Sequence, residues 1–328
     1  MEDYLVLQEK LREQESGDEK LLRLSYSKMD VYLGCPYRYK LCYVDQNYSS
    51  SSTLPLEIGT LCHHVLELKG NMKQANKTVD YDALKEILFH GCDIETEKNK
   101  THIKGVNELK KIYWEEWGAK DNKSGMNYDE KIQLFLTNVL PTRMEDPDWE
   151  IIGTEIPFSF VYDDKVLVTG FIDRVDRNKH TGEFRITDYK TSKAVYDSSK
   201  IKTPLQHIFY DMAILHMYGV LPVEHVYDFI LIDQVQNHST GVCTKGYLKR
   251  GIKKIDKTIN SIYSESIYKP SPTPLCYWCP FHSTSPNADP QLKGMCQYHS
   301  LWTPENKNFG TLNPWSEQTA TRKFTFDF

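Results

Sequence analysis

Residues 166–190 read VLVTGFIDRVDRNKHTGEFRITDYK, two short β-rich runs joined by a polar turn that carries Asn178 and Gly182. Val166, Leu167, Val168, Phe171, Ile172 and Val175 favour a strand, as do Phe184, Ile186 and Tyr189, so the pattern predicts a β-hairpin. Its acids need a reason. Asp173 sits inside the first apolar run and Asp188 at the end of the second, and a carboxylate within a strand is costly to bury without a cationic partner. Lys190 is one partner. A divalent cation is the better one, because Mg²⁺ is held by one or two carboxylates and keeps its remaining positions for water and substrate phosphate.

Outward from the hairpin, GTLCHHVLE (residues 59–67) sets His63 and His64 in a helical pattern, where a lone histidine is ordinarily structural. Downstream, PLQHIFYDMAI (204–214) places Gln206 and Tyr210 four apart, on one helix face, so both can address the same substrate. Near the two ends, Cys35 opens CPYRYK, and Cys276-Tyr-Trp-Cys279 precedes Cys296. Two ligands two residues apart chelate one metal from a tight turn, and thiolates select zinc or iron–sulfur clusters. Cys42, Cys62, Cys92 and Cys243 lie in apolar or helical contexts and read as buried thiols.

In this order the motifs resemble the PD-(D/E)xK nuclease superfamily, and more closely its RecB-like branch, which includes AddB and the CRISPR-associated adaptation nucleases. Asp173 within GFIDRVD, followed by Asp188-Tyr189-Lys190, resembles the catalytic hairpin. The segment from Gly59 resembles the helix motif G-T-x-x-H-x-x-L-E, which puts His63, and not His64, on the metal-binding histidine. Gln206 and Tyr210 fit the Q-x-x-x-Y helix, and the cysteines resemble the one-plus-three clasp of iron–sulfur members. The resemblance spans residues 25–67 and 155–296.

The resemblance implies an α/β fold with a restriction-endonuclease-like core, a mixed sheet flanked by helices, carrying a helical insertion and a C-terminal metal clasp. It implies that His63, Asp173 and Asp188 hold one or two Mg²⁺ or Mn²⁺, that the Tyr189 backbone carbonyl completes the shell, and that Lys190 orients or deprotonates the attacking water, with Gln206 and Tyr210 completing the catalytic set. Cys35, Cys276, Cys279 and Cys296 would bind a 4Fe–4S cluster. The gap from Cys279 to Cys296 is longer than the family's usual spacing and His282 lies within reach, so structural zinc stays open. Glu155 is either a further metal ligand or a polar edge position. The implied activity is metal-dependent hydrolysis of DNA in replication, recombination or repair, by an exonuclease rather than an endonuclease, on a single strand or a duplex end. The alternative is a non-catalytic DNA-binding scaffold within a recombination complex, against which the intact Asp173, Asp188 and Lys190 stand.

Composition is compatible. With 328 residues the chain can bury a sizeable core, 26% charged residues and 40% hydrophobics are ordinary for a water-soluble protein, and no apolar run is long enough for a membrane span. Eight cysteines, two of them in C-x-x-C, argue for intracellular, cytoplasmic metal binding over a secreted disulfide framework. The net charge of −5 means that DNA must be met by a local surface and not by the overall field. No G-x-x-x-x-G-K-[ST] occurs, so no helicase motor of that type is expected on this chain.

By segment, 1–24 reads as an N-terminal helix and extension, 25–70 as the part of the nuclease domain with Cys35 and His63, 71–150 as a helical insertion, 151–265 as the core, 266–302 as the cysteine-rich clasp and 303–328 as a flexible tail. The insertion reads as helical throughout, with Ile103, Val106, Leu109 and Ile112 on one face and Trp114 and Trp117 as core, with base-stacking surfaces as the alternative. VYDFILIDQV (226–235) reads as one strand, and 246–263 as a helix bearing Lys249, Arg250, Lys253, Lys254 and Lys257. Lys193, Lys200 and Lys202 sit in a loop suited to phosphate contact. The tail ends in Phe324, Phe326, Asp327 and Phe328, and exposed aromatics at a chain end call for a receiver. This ending resembles the Phe-Asp-Phe terminus by which DNA polymerases of some large tailed phages engage their sliding clamp. A clamp at a phage replication fork, a single-stranded-DNA-binding protein, or the chain's own domain are the receivers to test.

Overall fold

A computed structural model describes residues 2–49, 52–95, 100–197, 205–239, 245–282 and 288–296. Lys200, Lys202, Cys243 and the whole tail, with Phe324, Phe326, Asp327 and Phe328, lie outside them. The chain forms two compact units, Met1–Tyr26 with Thr53–Asn260, and Ser27–Ser52 with Ser261–Phe328.

The first unit is built on a seven-stranded mixed sheet. Its N-terminal segment is more than the short, solvated helix expected. After α1 (Glu2–Glu9), β1 (Leu11–Arg12) pairs antiparallel with β5 (Trp149–Tyr162), and β2 (Leu22–Leu24) pairs parallel with the start of β6 (Val166–Asn178). Strands of two and three residues are too short to show a period of two, which is why sequence pattern misses them. The predicted hairpin is present, β6 returning as β7 (Phe184–Lys190). The Asn178 side chain accepts from the amides of His180 and Thr181, and Gly182 takes a φ of 75° that a side chain would oppose. Beyond β7 the chain crosses over through a helix, Leu205–Tyr218, to β8 (Glu224–Phe229), parallel to β7, as parallel pairing requires. VYDFILIDQV is then not one strand: β8 turns at residues 230–233 and returns as β9 (Gln234–Ser239).

The helices, in chain order, are α1, α2 (Tyr26–Gly34), α3 (Pro36–Tyr39), α4 (Leu54–Gln74), α5 (Tyr81–His90), α6 (Val106–Ile112), α7 (Trp114–Gly118), α8 (Tyr128–Leu134), α9 (Leu140–Thr142), α10 (Leu205–Tyr218) and α11 (Lys245–Ser264). The expected all-helical insertion contains a β-hairpin, β3 (Gly91–Glu95) with β4 (Lys100–Lys104), so Ile103 packs from a strand and Ile112 is exposed. Gly91 and Gly105 touch where the hairpin closes, and a Cβ on either would strike the other's backbone. Trp117 is buried with its Nε1 donating to Asp129, whereas Trp114 is 70% exposed. Insertion helices and α4 share one core, which Tyr189, Ile230 and Leu231 of the sheet side complete.

Two close approaches fix the helices that carry function. Gly70 lets α4 pack on β5, where a Cβ would overlap Thr154, and Thr154 bonds the Glu67 carbonyl and Asn71. Gly251 likewise lets α11 lie on Ile208 of α10.

In the second unit Cys35 caps α3, accepting from the Arg38 amide at 3.5 Å. Tyr39 is packed by Tyr32, Tyr43 and Tyr268, and Tyr32 donates to Glu265, which joins residues from the two chain segments of this unit. Among the described residues no helix is long and apolar enough to cross a membrane.

Candidate active site

Site residues arrive from β5, β6, β7, α4 and α10. On β5, Glu155 has a φ of 47°, rare for a residue with a side chain, between the paired positions Thr154↔Arg174 and Ile156↔Ile172. The twisted backbone directs its carboxylate toward α4. There His63 Nδ1 stands 3.9 Å from Glu155 Oε1 and 3.7 Å from Asp173 Oδ2. His63, Glu155 and Asp173 each offer one ligand atom, all within 4.8 Å of one another, which fits a divalent cation bound by carboxylates and an imidazole. Glu155 thus stands beside His63 and Asp173, in a group of donors that could hold a metal ion. No sequence pattern announces it, because the direction of its side chain depends on that backbone twist.

Asp188 is turned to other partners. Lys190 Nζ lies against its Oδ2, while Gln206 Nε2 and the Tyr210 hydroxyl donate to its Oδ1 at 3.1 and 3.2 Å. Gln206 also donates to Tyr210 and accepts from Lys190 at 3.2 Å, so the i, i+4 pair on α10 acts as one bracket. The Tyr189 amide donates to Asp173 Oδ2 at 2.7 Å, and its ring meets the His63 ring edge-on. His64, out of register in the motif, pairs with Glu67 at 2.9 Å. Of the sequence-predicted set, His63 and Asp173 meet directly, and Asp188, Lys190, Gln206 and Tyr210 form the adjoining cluster.

Electrostatics follow from crowding acids in a dry place. Burial, then the neighbouring Asp188 and Glu155, push the Asp173 carboxyl well above the usual range, against the pull of Lys190 and the Tyr189 amide. Glu155 is raised by burial, then by Glu67 and Asp188. Burial lowers His63. For Lys190, burial opposes the charge, but contact with Asp188 overrides it and raises the pKa, so the ammonium stays protonated at neutral pH.

Beneath this cluster lies a second, structural one that sequence reasoning did not single out. Arg174 is buried and donates to Asp176, the Tyr189 hydroxyl and Thr187 Oγ1 at 3.1, 3.0 and 3.0 Å. Its position in GFIDRVD, between two acids, is the signal that could have found it.

The cysteines converge within the second unit. Cys35, Cys276, Cys279 and Cys296 all line one cavity of about 190 Å³, and His282 lines it too. Backbone amides of Ser271 and Thr273 donate to the sulfurs of Cys35 and Cys276 at 3.4 Å each. Of the cysteines read as buried thiols, Cys62 is buried, with its pKa pushed up to about 12, while Cys42 and Cys92 are half-buried.

An antiparallel hairpin with Asp173 on one strand and Asp188-x-Lys190 on the next, bracketed by helices, is the architecture of a nuclease of the restriction-endonuclease-like class. The model of the PD-(D/E)XK nuclease superfamily matches residues 23–284, and the chain belongs to that superfamily. It is similar to the B component of the ATP-dependent helicase/deoxyribonuclease of Clostridium perfringens strain SM101, at 24% identity over 224 residues, 61% of this chain and 18% of that relative. The same components of strains ATCC 13124 and 13 match to the same extent, so the chain spans less than a fifth of the length of these relatives.

The raised Asp173 carboxyl has a consequence for stability. A carboxyl whose folded pKa exceeds its unfolded value contributes stability that is complete below the unfolded pKa and is lost as pH rises through the folded one. At neutral pH the Asp173 carboxyl therefore detracts from the stability of the metal-free fold. Asp173→Asn is expected to raise the melting temperature in EDTA at pH 7 to 8, by about 1–2 °C for each kcal/mol relieved, and to lose that gain near pH 4. Thermal melts of both proteins across pH check this; an Asn variant that melts lower at pH 8 contradicts the electrostatic account.

Proposed function

We propose that this chain is a Mg²⁺- or Mn²⁺-dependent deoxyribonuclease that hydrolyses phosphodiesters from an end, on a single strand or a duplex terminus. The observation that carries the reading is the convergence of His63, Glu155 and Asp173 beside the Asp188–Lys190 pair. These residues would hold the cation, with Asp188 and the Tyr189 carbonyl at the rim of the same site. Bound there, a divalent ion supplies Lewis-acid stabilisation of phosphate charge and an acidified water. Lys190, protonated by virtue of Asp188, donates: it orients the attacking water or neutralises a phosphate oxygen and does not abstract a proton in this arrangement. Gln206 and Tyr210 hold the Asp188 carboxylate in place. The names of the relatives join a helicase and a deoxyribonuclease, which supports a role beside a strand-separating partner in replication, recombination or repair.

Digestion of end-labelled single- and double-stranded DNA with Mg²⁺ or Mn²⁺ tests the reading. Asp173→Ala, Asp188→Ala and Lys190→Ala are each expected to lower the cleavage rate by about 10³-fold or more while the protein stays folded, in line with losses on removing groups that act at the transition state. Substantial cleavage by purified Asp188→Ala removes the assignment. A folded wild type that binds DNA and cleaves none, with either metal, favours the scaffold alternative.

The second unit is assigned a 4Fe–4S cluster on Cys35, Cys276, Cys279 and Cys296, with structural zinc as the competing occupant. Burial raises the Cys276 and Cys279 thiols, so a metal is what would keep them as thiolates, and the amide donors at Cys35 and Cys276 suit anionic sulfur. Protein purified without air is expected to be brown and to contain about four irons per chain, and Cys276→Ser to lose the colour and melt lower. One zinc and no iron, or loss of metal in His282→Ala but not in Cys296→Ser, overturns the assignment.

The tail, 303–328, is proposed to tether the enzyme to a sliding clamp, or to a single-stranded-DNA-binding protein, of a phage replication fork. Its aromatic ending, Phe324 to Phe328, supports this reading. Deleting those residues is expected to leave cleavage of naked DNA unchanged and to abolish capture of the clamp in a pull-down. A lowered melting temperature on deletion, with no replication protein retained by the intact tail, shows instead that the tail packs on its own domain.

A further inference from the structure

The groove lined by His63 and Glu155 holds about 760 Å³, and no lysine or arginine lines it among the described residues. Apolar side chains form much of its wall instead: Leu56, Ile94, Ile103 and Phe171. Two of these are conspicuously open. Leu56 and Phe171 are each 60% exposed.

Phe171 belongs to β6, two residues before Asp173, so strand alternation puts both on one side of the strand. Leu56 lies seven residues before His63 on α4, two turns along the same helix face. An aromatic side chain within a long central strand is ordinarily buried, and here Pro157 is its register partner. A groove without cations cannot hold a phosphate backbone by ion pairing along its length. The flat face of a nucleobase fits apolar and aromatic walls, and every base has one. Within a duplex both faces of a base are covered by its stacked neighbours, so a base that lays its face on these walls is unpaired or unstacked.

We infer that Phe171, with Leu56 in the same groove, forms a stacking subsite for an unpaired nucleobase flanking the phosphodiester at the metal-ligating group. The inference rests on the nuclease reading for its neighbouring phosphate. Its own content is the base: Phe171 and Leu56 offer aromatic and apolar surface that any base can meet, while the phosphate charge would be met by Lys190 and by the cation that His63, Glu155 and Asp173 would hold.

The test measures binding by fluorescence anisotropy, in EDTA, of a labelled oligothymidylate and of a fully abasic strand with the same number of phosphates. Wild type is expected to bind the thymidylate more tightly. Phe171→Ala should weaken thymidylate binding about 5- to 100-fold and leave abasic binding unchanged, and Phe171→Trp should restore it. Because the ring is largely exposed, both variants are expected to melt like wild type. Equal binding of the thymidylate by wild type and Phe171→Ala, or equal losses for both strands, overturns the inference. Cleavage of the same thymidylate with Mn²⁺ is followed in parallel. Cleavage with no effect of Phe171→Ala on binding removes the subsite and keeps the nuclease, whereas Phe171-dependent binding without cleavage keeps the subsite and removes the nuclease.

Discussion

Asp173, Asp188 and Glu155 bring three carboxylates together from neighbouring strands, and among the described residues Lys190 is the cation in direct contact with one of them. That imbalance governs the site. Asp188 takes the lysine together with the Gln206 and Tyr210 donors, while Asp173 is left with the Tyr189 amide and a pKa pushed upward by burial and by its acidic neighbours. In bulk water such a cluster would be unremarked. In a half-dry groove it is a standing demand for positive charge, and the donor set of two carboxylates and one imidazole within 4.8 Å is suited to a divalent ion.

Much of the surrounding fold holds those groups together against their repulsion. α4 is pressed onto β5 through Gly70 and the Thr154 hydrogen bonds, which sets His63 against Glu155. The left-handed backbone at Glu155 is a local cost of order 1–3 kcal/mol that the continuous pairing of β5 with β6 on either side sustains. α10 is fixed from behind by α11, so Gln206 and Tyr210 arrive at Asp188 on a rigid element and not on a loop.

What the sequence made legible was what local chemistry specifies. The hairpin was readable because β-branched runs and an Asn/Gly turn agree, and Gln206 with Tyr210 because four-residue spacing survives folding as a shared helix face. What depended on distant partners was not readable. The two-residue β1 and three-residue β2 are strands because long neighbours accept them, and β3 with β4 interrupts an otherwise helical region where Gly91 meets Gly105. VYDFILIDQV hides a turn because its apolar run continues through Ile230 and Leu231, which leave the strand to enter the core shared with α4. Glu155 could not be assigned from pattern at all, since alternation assumes an ordinary strand and its φ is not that of one.

The alternation of β7 separates stability from chemistry along a single strand. Thr187 and Tyr189 turn to the buried Arg174, whose hydrogen bonds to their hydroxyls tie β6 to β7, while Asp188 and Lys190 turn to α10. Arg174 is itself the residue after Asp173, so the same alternation operates on β6. A slip of one residue in the β6–β7 pairing would exchange the faces of Asp173 and Arg174, taking Asp173 away from His63 and Arg174 away from Thr187 and the Tyr189 hydroxyl. Register in this hairpin is thus held by two polar networks of opposite requirement, one satisfied within the protein and one left short of a cation, and the satisfied network fixes the position of the unsatisfied one.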